Sequence, residues 1–156
     1  MSDPVLPFSP MHMAIERARV GGDQDEVPIG AVIVDSATGA IIASSHNMCE
    51  AMTDPTAHAE LLVIREASRK LRTMRLTECD MYVTLEPCAM CAQAISFARL
   101  RRVYFGAYDP KGGGVDNGAR IFHQPTCHHK PEVIGGVEEL KCSELLKQFF
   151  ALKRAS

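Results

Sequence analysis

Residues Asp80 to Ala107 read strand, helix, strand without interruption, and this run restricts the fold more than any other part of the chain. DMYVTL (Asp80 to Leu85) is a short apolar stretch of the buried-strand type. AMCAQAISFARL (Ala89 to Leu100) has helical spacing, and RRVYFGA (Arg101 to Ala107) is a second strand. A crossover of this kind builds a parallel strand pair within a sheet that helices must cover.

The flanking text supplies those helices and further strands. Ser9-Pro10 reads as a cap and a first-turn proline, Met11, Ala14, Ile15 and Ala18 fall at helical spacing, and Gly21-Gly22 reads as the stop. IGAVIVD (Ile29 to Asp35) and AIIASSHN (Ala40 to Asn47) flank SATG as two strands of a hairpin. A helix is expected from about Ala57 to Leu71, opening on DPTAHAE and closing on Arg69, Lys70 and Arg72, which complement its dipole. Residues Tyr108 to Lys130 are glycine-rich and too long for an ordinary connector, which marks a functional loop. PEVIGG reads as a short last strand. SELLKQFFALKR (Ser143 to Arg154) reads as an amphipathic closing helix with Leu145, Leu146, Phe149 and Phe150 on one side. No repeat or linker interrupts the chain, and 156 residues at 46% hydrophobic content suit a single domain spanning 1–156.

Composition removes several function classes. A net charge of -2 gives no global positive field, so nucleic acid would have to meet local patches. Six scattered cysteines are too few for a disulfide scaffold, and the opening MSDPVLPFSP lacks the charged and apolar regions of a leader. Together these predict a reducing, cytoplasmic location. No apolar run approaches the roughly 20 residues of a membrane span.

The chemistry gathers at two helix openings. Cys88 and Cys91 stand three residues apart at the start of the crossover helix, so both sulfurs leave one face of its first turn. Exposed N–H groups at a helix N-terminus lower a thiol pKa and favour the thiolate that a metal binds. Alone, the pair suits either a redox couple or half of a structural zinc site. Thirty residues upstream, His58-Ala59-Glu60 opens the preceding helix and decides between them. One imidazole and two thiolates make three ligands, and tetrahedral zinc then keeps a fourth position for water, the arrangement of a catalytic site. Side chains at i and i+2 of a regular helix point about 200° apart, so Glu60 reaches the same cavity only if His58 lies at the irregular helix entry. Placed there, Glu60 is no ligand and is free to move protons. Taken alone, a glutamate near a helix N-terminus needs no such role.

H-x-E followed by P-C-x-x-C is the signature of the zinc nucleobase deaminases. The match extends through EVPIGAVIV (Glu26 to Val34), His46-Asn47, DPTAHAE, YVTLEPCAMCAQAI and RRVYFGAYDPKGG, and over this length the sequence resembles the bacterial tRNA-specific adenosine deaminases. The resemblance implies an α/β protein with a three-layer α/β/α cytidine-deaminase-like fold, a mixed sheet of about five strands, and pairing as a homodimer. It also implies one zinc ion per chain on His58, Cys88 and Cys91, with Glu60 as base and acid in turn. The reaction it implies converts adenosine to inosine at the wobble position of a tRNA anticodon stem-loop. By the same resemblance Asn47 hydrogen-bonds the base, Val27 and Leu85 are apolar walls, and Ala59 offers a backbone N–H beside the metal. Asp109 and Lys111 lie near the RNA, and Phe150 with Lys153 and Arg154 cradles the loop.

Plainer readings stand beside these. Asn47 suits a strand-end turn, Phe149 and Phe150 suit a core, and Arg65, Arg69 and Arg72 suit a solvated face. FHQPTCHHKPEV (Phe122 to Val133) is longer and richer in Cys and His than the family's text there. The adjacency of Cys127 and His128, without a C-x-x-C partner, favours loop packing or helix capping by His123, Cys127, His128 and His129 over a second metal. Cys49, Cys79 and Cys142 read as buried small hydrophobes. Two other functions remain open, namely deamination of a free base or nucleoside such as guanine or cytosine, and a non-catalytic zinc-stabilised binding subunit. The latter has no use for Glu60.

Overall fold

The structure, a computed structural model, describes residues 9–155. MSDPVLPF, most of the stretch on which the expectation of a leaderless chain rested, lies outside them. In chain order the elements are α1 (Pro10–Asp23), β1 (Gly30–Asp35), β2 (Ile41–His46), α2 (Cys49–Met52), α3 (Ala59–Leu71), β3 (Cys79–Leu85), α4 (Ala89–Ala98), β4 (Arg102–Ala107), a 3-10 turn (Ile121–His123), β5 (Glu132–Ile134) and α5 (Glu139–Ala155).

The strands form one five-stranded mixed sheet in the order β2-β1-β3-β4-β5. β1 pairs antiparallel with both β2 and β3, whereas β3, β4 and β5 run parallel. β1 lies inside the sheet with both faces covered, which is why GAVIV is apolar at every position instead of alternating, and all five residues are buried. Ala31 and Ile33 join Val63 and Ala67 of α3, Ala92 and Ile95 of α4, and Met81, Val83, Val103 and Phe105 in one cluster. Val32 and Val34 face the other way, onto Met11, Ala14 and Ile15 of α1 and Cys142 of α5. Three layers result, with α3 and α4 on one face and α1 and α5 on the other. Asp80 is buried at the start of β3, where Arg101 binds it through Nε and Nη2 at 3.0 and 2.7 Å.

Several boundaries differ from the sequence expectation for identifiable reasons. Ser9 caps α1, its Oγ accepting the His12 N–H at 3.2 Å. Gly21-Gly22 does not end the helix, which continues to Asp23. Gly21 instead lets the helix backbone press on His46, since a Cβ there would come within 3.0 Å of the imidazole ring. Four-residue α2 was not expected. Its first N–H groups are bound by a distant carboxylate, Glu26, which accepts from Glu50 and Ala51 at 3.0 and 2.8 Å. α5 starts at Glu139 and not at Ser143, whose hydroxyl donates to the Leu140 carbonyl inside the helix rather than capping it. Cys79 and Cys142 are buried, but Cys49 is only half-buried at the start of α2.

Candidate metal centre and substrate cavity

α3 and α4 lie on the same face of the sheet, and their N-termini meet. His58 is the residue before α3, with extended backbone (φ -73, ψ 148), and Cys88 is the residue before α4 in a similar conformation (φ -69, ψ 173). The His58 Nδ1 atom lies 3.6 Å from Cys88 Sγ and 3.5 Å from Cys91 Sγ. Zn–S bonds of about 2.3 Å and Zn–N bonds of about 2.0 to 2.1 Å, set at the tetrahedral angle, require an N···S edge of about 3.6 Å. The three donors therefore have the spacing of one face of a zinc tetrahedron. They form the one group of three or more potential metal donors among the described residues.

Because His58 precedes the helix, Glu60 falls in the first turn beside the donors without belonging to them. It is 4% exposed, and its carboxyl contacts Cys91 and lies close enough to Cys88 and His58 to feel their charge. Burial pushes its pKa up to about 7. That is the range in which a carboxyl both accepts and returns a proton at neutral pH. Cys88 is held down at about 4, chiefly by the hydrogen bond from Cys91 and then by His58, while the same sulfur contact and burial push Cys91 up. Contact with Cys88 raises His58, and the Pro55 carbonyl near the same ring also favours its protonated form. Cys91 thus holds its proton beside the Cys88 thiolate, and a cation bound there displaces it.

Asn47 joins this centre to a cavity. Its Oδ1 accepts the Ala59 N–H at 2.8 Å, fixing the turn that carries His58, and among the described residues its Nδ2 is without a partner. His46, also buried, bonds the Asn47 carbonyl through Nδ1 at 2.7 Å. A cavity of about 530 Å3 opens here, lined by Val27, Asn47, Phe149, Phe150 and Lys153 among others. Lys153 pairs with Asp25 at 2.9 Å and lies over the Phe149 ring. Ala59 is buried in the core. Leu85 packs instead, half-buried, against the cluster beneath α1 and α5. Asp109 and Lys111 sit in the glycine-rich loop, where Asp109 Oδ1 accepts the N–H groups of Lys111 and Gly112.

The cysteine and histidine-rich segment packs. Cys127 is buried in the core, the His129 ring bonds the Leu100 carbonyl at 2.7 Å, and Ser96 Oγ donates to the His129 carbonyl at 2.8 Å.

A family profile described as the cytidine and deoxycytidylate deaminase zinc-binding region matches residues 9–107. A tRNA-specific adenosine deaminase of Agrobacterium fabrum is 56% identical over 144 residues, 92% of this chain and 93% of that protein. That of Bacillus subtilis is 45% identical over 140 residues, 90% of this chain and 86% of its own. The chain belongs to this deaminase family. A solved structure from a study of A-to-I editing by tRNA:A34 deaminases superposes with a TM-score of 0.85 at 55% identity, covering 88% of this deaminase and 98% of that chain. The deaminase profile ends at Ala107, so the glycine-rich loop and α5 lie beyond it.

Two buried carboxylates carry no signal of their role in the sequence. Glu26 and Glu86 are each 2% exposed and bind backbone N–H groups far along the chain. Only their setting inside otherwise apolar text, in EVPIGAVIV and YVTLEPC, sets them apart.

Proposed function

We propose that this chain is a zinc-dependent hydrolase that converts adenosine to inosine at the wobble position of a tRNA anticodon loop, releasing ammonia. The observation that carries the proposal is the buried Glu60 beside three donors at tetrahedral spacing. The high identity to tRNA-specific adenosine deaminases supports the substrate.

His58, Cys88 and Cys91 hold one zinc ion. When bound, zinc supplies Lewis-acid activation of water near neutral pH. Glu60 takes one proton from the attacking water and passes it to the ring nitrogen beside C6 as the C–O bond forms. It then takes the second proton from the new C6 hydroxyl and delivers it to the amino group, which leaves as ammonia as the C6 carbonyl forms. Asn47 presents its Nδ2 to the base while its Oδ1 keeps Ala59 in place. Val27 forms an apolar wall, Phe150 offers a face on which a loop base stacks, and Asp109 and Lys111 of the glycine-rich loop meet the RNA. An anticodon loop is already unpaired, so drawing one base into such a cavity costs least there.

One deaminase domain spans 1–156, and six free cysteines suit a cytoplasmic setting. No helix among the described residues is long and apolar enough to cross a membrane. The active form is a homodimer, a reading supported by Met90 and Phe97, which α4 exposes one above the other, Phe97 at 72%.

Incubation with an anticodon stem-loop, and separately with guanine, cytosine and cytidine, tests the proposal. Inosine forms in the RNA and the free compounds stay intact; the reverse result removes tRNA as the substrate.

A further inference from the structure

Residues 109–117, DPKGGGVDN, form a loop that includes three consecutive glycines. Glycine loses more conformational freedom on ordering than any other residue, so something must hold this loop. Val115 is buried at 1% exposure and is one anchor. Glu86 is the other. Its Oε1 accepts the Asp109 N–H at 3.0 Å and Asn117 Nδ2 at 2.7 Å, and its Oε2 accepts the N–H groups of Val115, Asp116 and Asn117 at 3.2, 3.0 and 3.1 Å. Successive N–H groups converging in this way make an anion cradle, and here the anion is a side chain of the protein itself. One carboxylate thereby binds the loop at both its entry and its exit.

The loop is drawn against the metal centre by the same device. Gly114 donates to the Pro87 carbonyl at 2.8 Å, between Glu86 and Cys88. A Cβ on Gly113 would collide with Glu86 Oε2, and one on Gly114 would collide with the Ala89 N–H at the start of α4. Five hydrogen bonds occupy the roughly four lone-pair sites of a carboxylate, so no acceptor is left for moving a substrate proton.

We propose that Glu86 is a positioning residue for RNA, holding the 109–117 loop closed on the entry of α4 and so setting the Michaelis constant for the anticodon stem-loop, not the rate of the chemical step. This rests on the reading of the chain as a tRNA deaminase, with Lys111 and Asp109 meeting RNA.

The test combines stem-loop kinetics with amide exchange in the full zinc-loaded chain. Glu86→Gln replaces an acceptor with a donor aimed at N–H groups. It raises KM at least tenfold with kcat within threefold of wild type and zinc content unchanged, and the amides of 115–117 exchange at least tenfold faster. Asn117→Ala removes one donor of the five and gives a three- to fivefold rise in KM at constant kcat, a readout that survives if Glu86→Gln does not fold. A fall in kcat at constant KM, or no change in either variant, overturns the proposal. A wild-type enzyme inactive on RNA overturns the substrate reading and the KM claim with it. In that case unchanged exchange at 115–117 in Glu86→Gln would further show that Glu86 does not hold the loop.

Discussion

The two atoms of the Asn47 amide face different duties, and substitution separates them. Asn47→Ala orphans the buried Ala59 N–H, which costs about 1–3 kcal/mol of stability, and it also removes the amide nitrogen proposed to meet the base. Asn47→Asp restores an acceptor for Ala59 without the donor. Thermal unfolding is expected to fall for the alanine variant and to recover in the aspartate variant, while kcat/KM on the stem-loop falls about 10-fold or more in both. Recovery of turnover in Asn47→Asp would show that the amide nitrogen does not touch the base. Glu86 makes a pH prediction at the same scale. Burial opposes its ionisation, but the N–H groups of Asp109, Val115 and Asp116 and the amide of Asn117 outweigh burial and hold its pKa below the ordinary 4.5. A carboxyl depressed in the folded state binds protons more readily once unfolded, so its stabilisation is complete above about pH 4.5 and fades as pH falls through the folded value. Melting temperatures measured from pH 7 to pH 3 should drop less steeply in Glu86→Gln than in wild type; parallel curves would contradict the depressed pKa.

At the scale of elements, the metal centre is a joint between two helix N-termini, α3 and α4, whose positive dipole ends face each other across His58 and Cys88. Thiolates and a bound ion make that meeting favourable, so zinc should stabilise the fold as a ligand does, by about 4 kcal/mol at a thousandfold excess over Kd. Chelation is expected to lower the melting temperature by at least about 5 °C, restored by zinc. An unchanged melting curve would detach the site from the joint. These elements were legible because their signals are local. The Asp80–Ala107 crossover shows in its periodicity, and the donor set shows in the spacing of His58, Cys88 and Cys91. What stayed hidden depends on distant partners. α2 needs the Glu26 carboxylate from 24 positions away, and the glycine-rich loop needs Glu86 from 23 to 31 positions away. The last helix begins four residues before the Ser143 start that its apolar spacing suggested, and the Ser143 hydroxyl bonds a carbonyl inside it. Leu85 ends an apolar strand, and nothing in its neighbours' identity tells which sheet face it joins.

For the molecule as a whole, a net charge of -2 means that an RNA partner is met by local features around one cavity, not by the protein's overall field. The exposed face of α4, with Met90 and Phe97, is the surface on which the proposed homodimer is tested. Sedimentation should give a mass of two chains for wild type and one for Phe97→Glu, whereas a monomeric wild type at tens of micromolar would remove the dimer. The central claim is that a buried proton carrier beside a three-donor zinc centre deaminates an unpaired adenosine. Its most direct test is inosine formation in an anticodon stem-loop by wild type and Glu60→Gln, each assayed for zinc by elemental analysis. The account predicts one zinc per chain in both proteins, inosine from wild type, and a rate lowered about 10²–10⁴-fold or more in Glu60→Gln. Equal rates from the two zinc-loaded proteins would contradict it.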